Sequence, residues 1–96
     1  MYIVKFLLEA ELEITDACEW YEKSKPGLGK IFLDELDKSI SLVLNNPFHY
    51  AVRFSEKYRF AVLKKFPYSI VYRIDDDQDF IMIISVFHQK RNPFRF

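Results

Sequence analysis

The chain has 96 residues, half of them hydrophobic and 18% aromatic, and a net charge of zero. That length suits one domain and not two, so residues 1–96 are expected to form a single domain, and the apolar content argues against disorder. A zero balance alone argues against a strongly basic nucleic-acid binder, and one cysteine, Cys18, excludes an internal disulfide.

The first residues, Met1 to Glu9, carry an apolar run too short and too interrupted for a signal peptide. No stretch approaches the ~18 apolar residues of a membrane span. With a lone thiol, these features predict a cytoplasmic protein without membrane attachment. Two widely spaced histidines and one cysteine offer no metal cluster, and no cofactor is expected.

In chain order, Tyr2 to Leu7 reads as a short strand. From Glu9 the period changes. Ala10, Ile14, Ala17, Cys18 and Tyr21 recur at spacings of three and four, and acids fill most positions between them. This is an amphipathic helix with an acidic first turn that complements the helix dipole. Lys25-Pro26-Gly27-Leu28-Gly29 interrupts it, because Pro26 cannot continue a helix and both glycines of the protein sit here. A second helix follows, with Leu28, Phe32, Leu36, Ile40, Val43 and Leu44 as its stripe and Asn45-Asn46-Pro47 as its stop. So short a link predicts an antiparallel hairpin.

Beyond Pro47 the character becomes β. Strands are predicted over Tyr58 to Lys65 and Tyr68 to Ile74, then an acidic turn from Asp75 to Asp79. Phe80 to His88 is almost continuously apolar, as in a strand buried on both faces or central in a sheet. The predicted fold is α+β, in the order β-α-α-β-β-β, with the helical hairpin packed on a mostly antiparallel four-stranded sheet.

Charge divides along the chain. Residues 1–48 hold five basic and nine acidic residues, and residues 49–96 hold nine and five, so the halves carry −4 and +4. Such asymmetry points to an anionic partner or to a dipolar surface with no ligand.

Several short motifs stand in a recognisable order: Glu19-Trp20-Tyr21-Glu22, Pro26-Gly27-Leu28-Gly29, Phe32-Leu33-Asp34-Glu35, Asn46-Pro47, Arg59, Lys65-Phe66-Pro67-Tyr68, Tyr72, and Val86 to Pro93 with its His88-x-x-Arg91-x-Pro93 spacing. From end to end the chain resembles the RelE/ParE toxin family, most closely its ParE-like branch. The resemblance implies a toxin of a type II toxin–antitoxin (plasmid stabilisation) system, encoded beside a cognate antitoxin that neutralises it. Family members act as inhibitors of DNA gyrase or as ribosome-dependent mRNA endonucleases. A nontoxic binding module on the same scaffold is a third possibility.

Cleavage through the RNA 2′-hydroxyl needs a base, a stabiliser of phosphate charge and a proton donor for the leaving oxygen. His88, Arg91 and Tyr72 are the candidates for these roles, and Arg59, Lys65, Lys90 and Arg95 for holding a nucleic acid or another target. Each has a structural alternative. His88 closes a strand, Arg59 faces two acidic helices, and Tyr72 shares a face with Ile70 and Ile74. Trp20, Phe94 and Phe96 are apolar candidates for antitoxin contact. Nuclease members carry basic residues where this chain aligns Ser69 and Gln89, and a tyrosine near Arg95. The expectation is therefore a toxin that binds a target such as gyrase, with RNA cleavage as the alternative. Arg59, Lys65, His88 and Arg91 are expected to share one surface.

Overall fold

The computed structural model describes residues 2–53 and 56–90. Its elements are β1 (Ile3–Phe6), α1 (Leu8–Ser24), α2 (Leu28–Asn45), β2 (Arg59–Val62), β3 (Tyr68–Asp75) and β4 (Phe80–His88). The predicted order holds. The second strand is shorter than the segment Tyr58 to Lys65, because the chain leaves the ladder after Val62.

The strands are ordered β1-β4-β3-β2. β4 pairs antiparallel with β3 and parallel with β1, and β2 pairs antiparallel with β3. The apolar run of β4 is explained by this interior place, with a strand on either side. The parallel pair follows from chain economy. A first strand severed from the rest by a helical hairpin satisfies its backbone by rejoining the sheet, and the hairpin is its crossover.

The helices cover one face of the sheet. Ala10, Ala17, Phe32, Leu36, Ile40 and Val43 pack against Ile70, Tyr72, Ile81, Ile83 and Val86. Phe60, Val71 and Phe87 form a smaller cluster on the opposite face. Tyr21, Phe32, Phe66 and Tyr68 lock the hairpin to the sheet through ring contacts, the tightest being Tyr21–Phe66 at 4.8 Å between centroids. Edge-on geometry of this kind adds ~0.5–1.5 kcal/mol per pair beyond burial.

Two glycines set the hairpin. Gly27 adopts φ 90° at the start of α2, a left-handed conformation that favours glycine. Gly29 allows the helices to touch, since a Cβ there would lie 2.9 Å from the Cys18 carbonyl oxygen. The Glu22 carboxylate of α1 accepts the amides of Gly27 and Gly29 at 3.1 Å, satisfying donors at the start of α2 that no α2 side chain caps.

One irregularity matters for function. Between Val71 and Tyr72 the β3–β4 register jumps, so that Val71 faces Ser85 and Tyr72 faces Ile83. Ile84 is the additional residue of a β-bulge. Before it the odd residues Ile81 and Ile83 face the helices, and after it Val86 does. The change of parity brings His88 to the helix side, opposite Tyr68.

Candidate functional site

β1 is too short to cover β4. Its ladder ends at the pair Phe6–Ile83, the Leu7 amide makes the last bond to the Ile83 carbonyl, and the chain turns into α1. The remaining edge of β4 faces α1 across a groove of about 470 Å³, lined by Glu13, Asp16, Ala17, Trp20, Tyr68, Val86, His88 and Lys90. Residues 13, 16, 17 and 20 recur at three and four, so one stripe of α1 forms the wall.

Glu13 closes the inner end of this groove. Its Oε1 accepts the Ser85 hydroxyl at 2.7 Å and the Val86 amide at 3.2 Å. A carboxylate thus supplies the acceptor that the missing length of β1 would have provided. Nearer the open end stand Trp20, 68% exposed, and His88, half-buried, whose ring meets Tyr68 edge-on at 5.3 Å. The Lys90 amide donates to His88 Nδ1 at 3.1 Å. In that contact Nδ1 is the acceptor, which leaves Nε2 as the ring's other polar atom.

The exposed Lys65 lies at this end of the sheet. It belongs to the turn between β2 and β3, and Pro67 of the same turn accepts the Gln89 amide at 2.8 Å. Lys65, His88 and Lys90 are therefore brought to one end of the molecule. Arg91, Arg95, Phe94 and Phe96 lie outside the described residues.

Arg59 is elsewhere. It opens β2 opposite Tyr72, roughly 10 Å along the strand from the turn that carries Lys65. Its Nη1 donates to the Tyr50 and Phe48 carbonyls at 2.5 and 3.3 Å, and its guanidinium lies over the Phe48 ring. Its partners are the carbonyls of the loop after α2, not helix acids. Tyr72 is fully buried, and its hydroxyl donates to the Pro47 carbonyl at 2.6 Å. Burial drives its phenol pKa well above the ordinary value, against a smaller opposing pull from Arg59. Arg59 and Tyr72 together hold residues 47–50 against the sheet.

Sequence reasoning did not find Glu13, which looked like one more solvated acid of α1. Its role depends on where β1 ends. It also missed the groove position of His88, because strict alternation from Ile83 would have turned that side chain to the opposite face. A bulge has no dependable signature inside an apolar run.

Residues 4–93 match the profile of the family described as ParE toxin of type II toxin-antitoxin system, parDE. No curated protein sequence matches the chain. Solved structures do. A chain of the chromosomal ParDE TA system from P. aeruginosa superposes with a TM-score of 0.77 at 18% identity, covering 92% of this chain and 96% of that one. The intact E. coli RelBE toxin-antitoxin complex contains a chain with a TM-score of 0.73 at 22% identity, covering 95% and 100%. For the M. tuberculosis toxin-antitoxin complex RelBE2 the values are 0.60, 20%, 91% and 96%. At these identities the likeness is one of fold. No helix among the described residues is long and apolar enough to cross a membrane.

Proposed function

Because the chain belongs to the ParE toxin family of type II toxin–antitoxin systems, we propose that it arrests growth by binding a target, DNA gyrase being the leading one, and does not cut RNA. The commitment of the polar groups carries this choice. The Tyr72 hydroxyl and the Arg59 guanidinium are bonded to backbone carbonyls, and His88 spends its Nδ1 lone pair on the Lys90 amide. Among the described residues, these groups do not assemble a base, a phosphate clamp and an acid around one point, as RNA cleavage would require. What His88 and Lys90 offer instead is polar groups and positive charge in one groove with an exposed indole, with Lys65 at the same end of the sheet, which suits recognition.

Target contact is assigned to Lys65, His88 and Lys90, joined in sequence by Arg91 and Arg95. Antitoxin contact is assigned to Trp20 in the groove, with Phe94 and Phe96 as further candidates. The antitoxin is the product of an adjacent gene, and similar folds from E. coli and M. tuberculosis occur in toxin-antitoxin complexes. A groove whose helix wall carries Glu13 and Asp16 suits an antitoxin segment that is basic and apolar.

The test is side by side. The purified protein is expected to inhibit supercoiling by gyrase, while transcripts in expressing cells stay whole. His88→Ala with Lys90→Ala should weaken inhibition about tenfold or more without changing the unfolding midpoint. Gyrase left fully active at stoichiometric excess, with transcripts broken within codons, would replace this reading by a ribosome-dependent endonuclease. Harmless expression in the absence of antitoxin would point to a nontoxic binding module.

A further inference from the structure

A second cleft, of about 600 Å³, lies at the other border of the sheet between α2 and β2, and the function proposed above makes no use of it. Its lining includes Lys38 and Leu42 of α2, His49, Val62 at the end of β2, and Lys64 in the turn beyond it.

β2 is an outer strand, and its backbone bonds show which groups face outward. Leu63 donates inward, to the Tyr68 carbonyl of β3 at 2.9 Å. Phe60 donates outward to the Ala51 carbonyl at 3.3 Å, and the Lys64 amide donates outward to Glu35 Oε2 at 3.3 Å. Strand alternation places the N–H and C=O of Val62, midway between these two, on the same outward border. The segment 51–53 covers the strand on one side of Val62 and Glu35 covers it on the other.

Beside Ser39, Asn45, Asn46 and Tyr50, the cleft carries exposed apolar and basic side chains. Leu42 and Val62 are 52% and 55% exposed. Lys38 and Lys64 stand on the rim with His49, and the acid in the lining, Glu35, is buried and turned onto the Lys64 amide. The groove beside β4 has the opposite character on its helix wall.

We propose that this cleft docks a short extended segment of another protein, bearing carboxylates beside apolar side chains, which pairs through its main chain with Val62 of β2. Main-chain pairing at Val62 supplies affinity, Leu42 and Val62 take the apolar side chains, and Lys38 and Lys64 select carboxylates. A nucleic acid would satisfy the lysines but would leave the Val62 amide and the two apolar side chains unmatched. The inference does not depend on gyrase being the target.

The probe is a short synthetic peptide, blocked at both ends, alternating glutamate with valine. A lysine–valine peptide and an oligothymidylate serve as comparators, titrated into the full ¹⁵N-labelled chain. The acidic peptide is expected to shift the amide signals of Lys38, Leu42, Val62 and Lys64 and to slow hydrogen exchange at Val62. It should bind about tenfold more tightly than the lysine peptide and lose about tenfold in Lys38→Glu/Lys64→Glu. Val62→Pro removes the outward donor and leaves the β3 ladder intact, so binding should fall with little change in the unfolding midpoint. Equal binding of the two peptides, shifts confined to other residues, unchanged exchange at Val62, or preferential binding of oligothymidylate at these residues would each overturn the proposal. None of those results bears on inhibition of gyrase.

Discussion

Tyr72 illustrates how one side chain was half legible. Its alternation with Ile70 and Ile74 assigned it to the core face, and the structure agrees. The partner of its hydroxyl, the Pro47 carbonyl, carries no side-chain signature and was not readable. The same holds for Arg59, whose partners are the backbone oxygens of Phe48 and Tyr50. Tyr72→Phe should cost about 1–3 kcal/mol in urea unfolding at neutral pH, since it leaves a buried carbonyl unpaired. Inhibitory activity per folded molecule should not change. The phenol pKa is raised by folding, so its contribution is fully present below the unfolded tyrosine range, about 10, and is lost as pH climbs above it. Stability should therefore fall in alkali, and the slope should be shallower in Tyr72→Phe. Part of the slope will persist, because burial also raises the Tyr21 pKa. An identical slope in the variant would mean that Tyr72 is not held neutral by the fold.

At the scale of elements, the helices were plain from the sequence because a period of three and four over 17 and 18 residues has few competing explanations. The link between them was equally plain, but its two glycines do different work. Gly27 is needed for its backbone angle and meets nothing within 4 Å at the Cβ position, whereas Gly29 is needed for space. Gly27→Ala should cost about 1–2 kcal/mol. Gly29→Ala must displace the Cys18 carbonyl or the Glu22 carboxylate that caps α2, with a cost of about 1–3 kcal/mol and a measurable loss of interhelical ring contacts. Thermal unfolding followed by near-ultraviolet circular dichroism would separate the two. A larger tertiary change in Gly27→Ala than in Gly29→Ala would contradict this division. The β-bulge at Ile84 belongs to the same scale and was hidden from the sequence, since Phe80 to Phe87 is apolar at every position but one and alternation has nothing to register against.

For the whole molecule, the predicted architecture held because a severed first strand has one economical place to go. Of the four residues expected to share one surface, Lys65 and His88 lie at the same end of the sheet, Arg59 does not, and Arg91 lies outside the described residues. Lys65, His88 and Lys90 gather at one end, while Arg59 serves the loop after α2. Protection against hydrogen exchange should follow the layering. Amides of Ile70, Ile81 and Ile83, in strands flanked on both sides, are expected to exchange last, and Val62 and the bridge at Val52 first among the sheet residues. Early exchange across β3 and β4 would show that the centre of the sheet is not its most stable part.

The end of β1 at Phe6 has a consequence for the width of the groove. The number of residues before the first helix acts as a dial on groove width. Two more strand residues would advance the ladder over Ile84 and Ser85, displace Glu13 and narrow the space in front of Trp20. Fewer would leave bare backbone that one glutamate could not shield. Access to the groove is then adjustable by the length of a single segment.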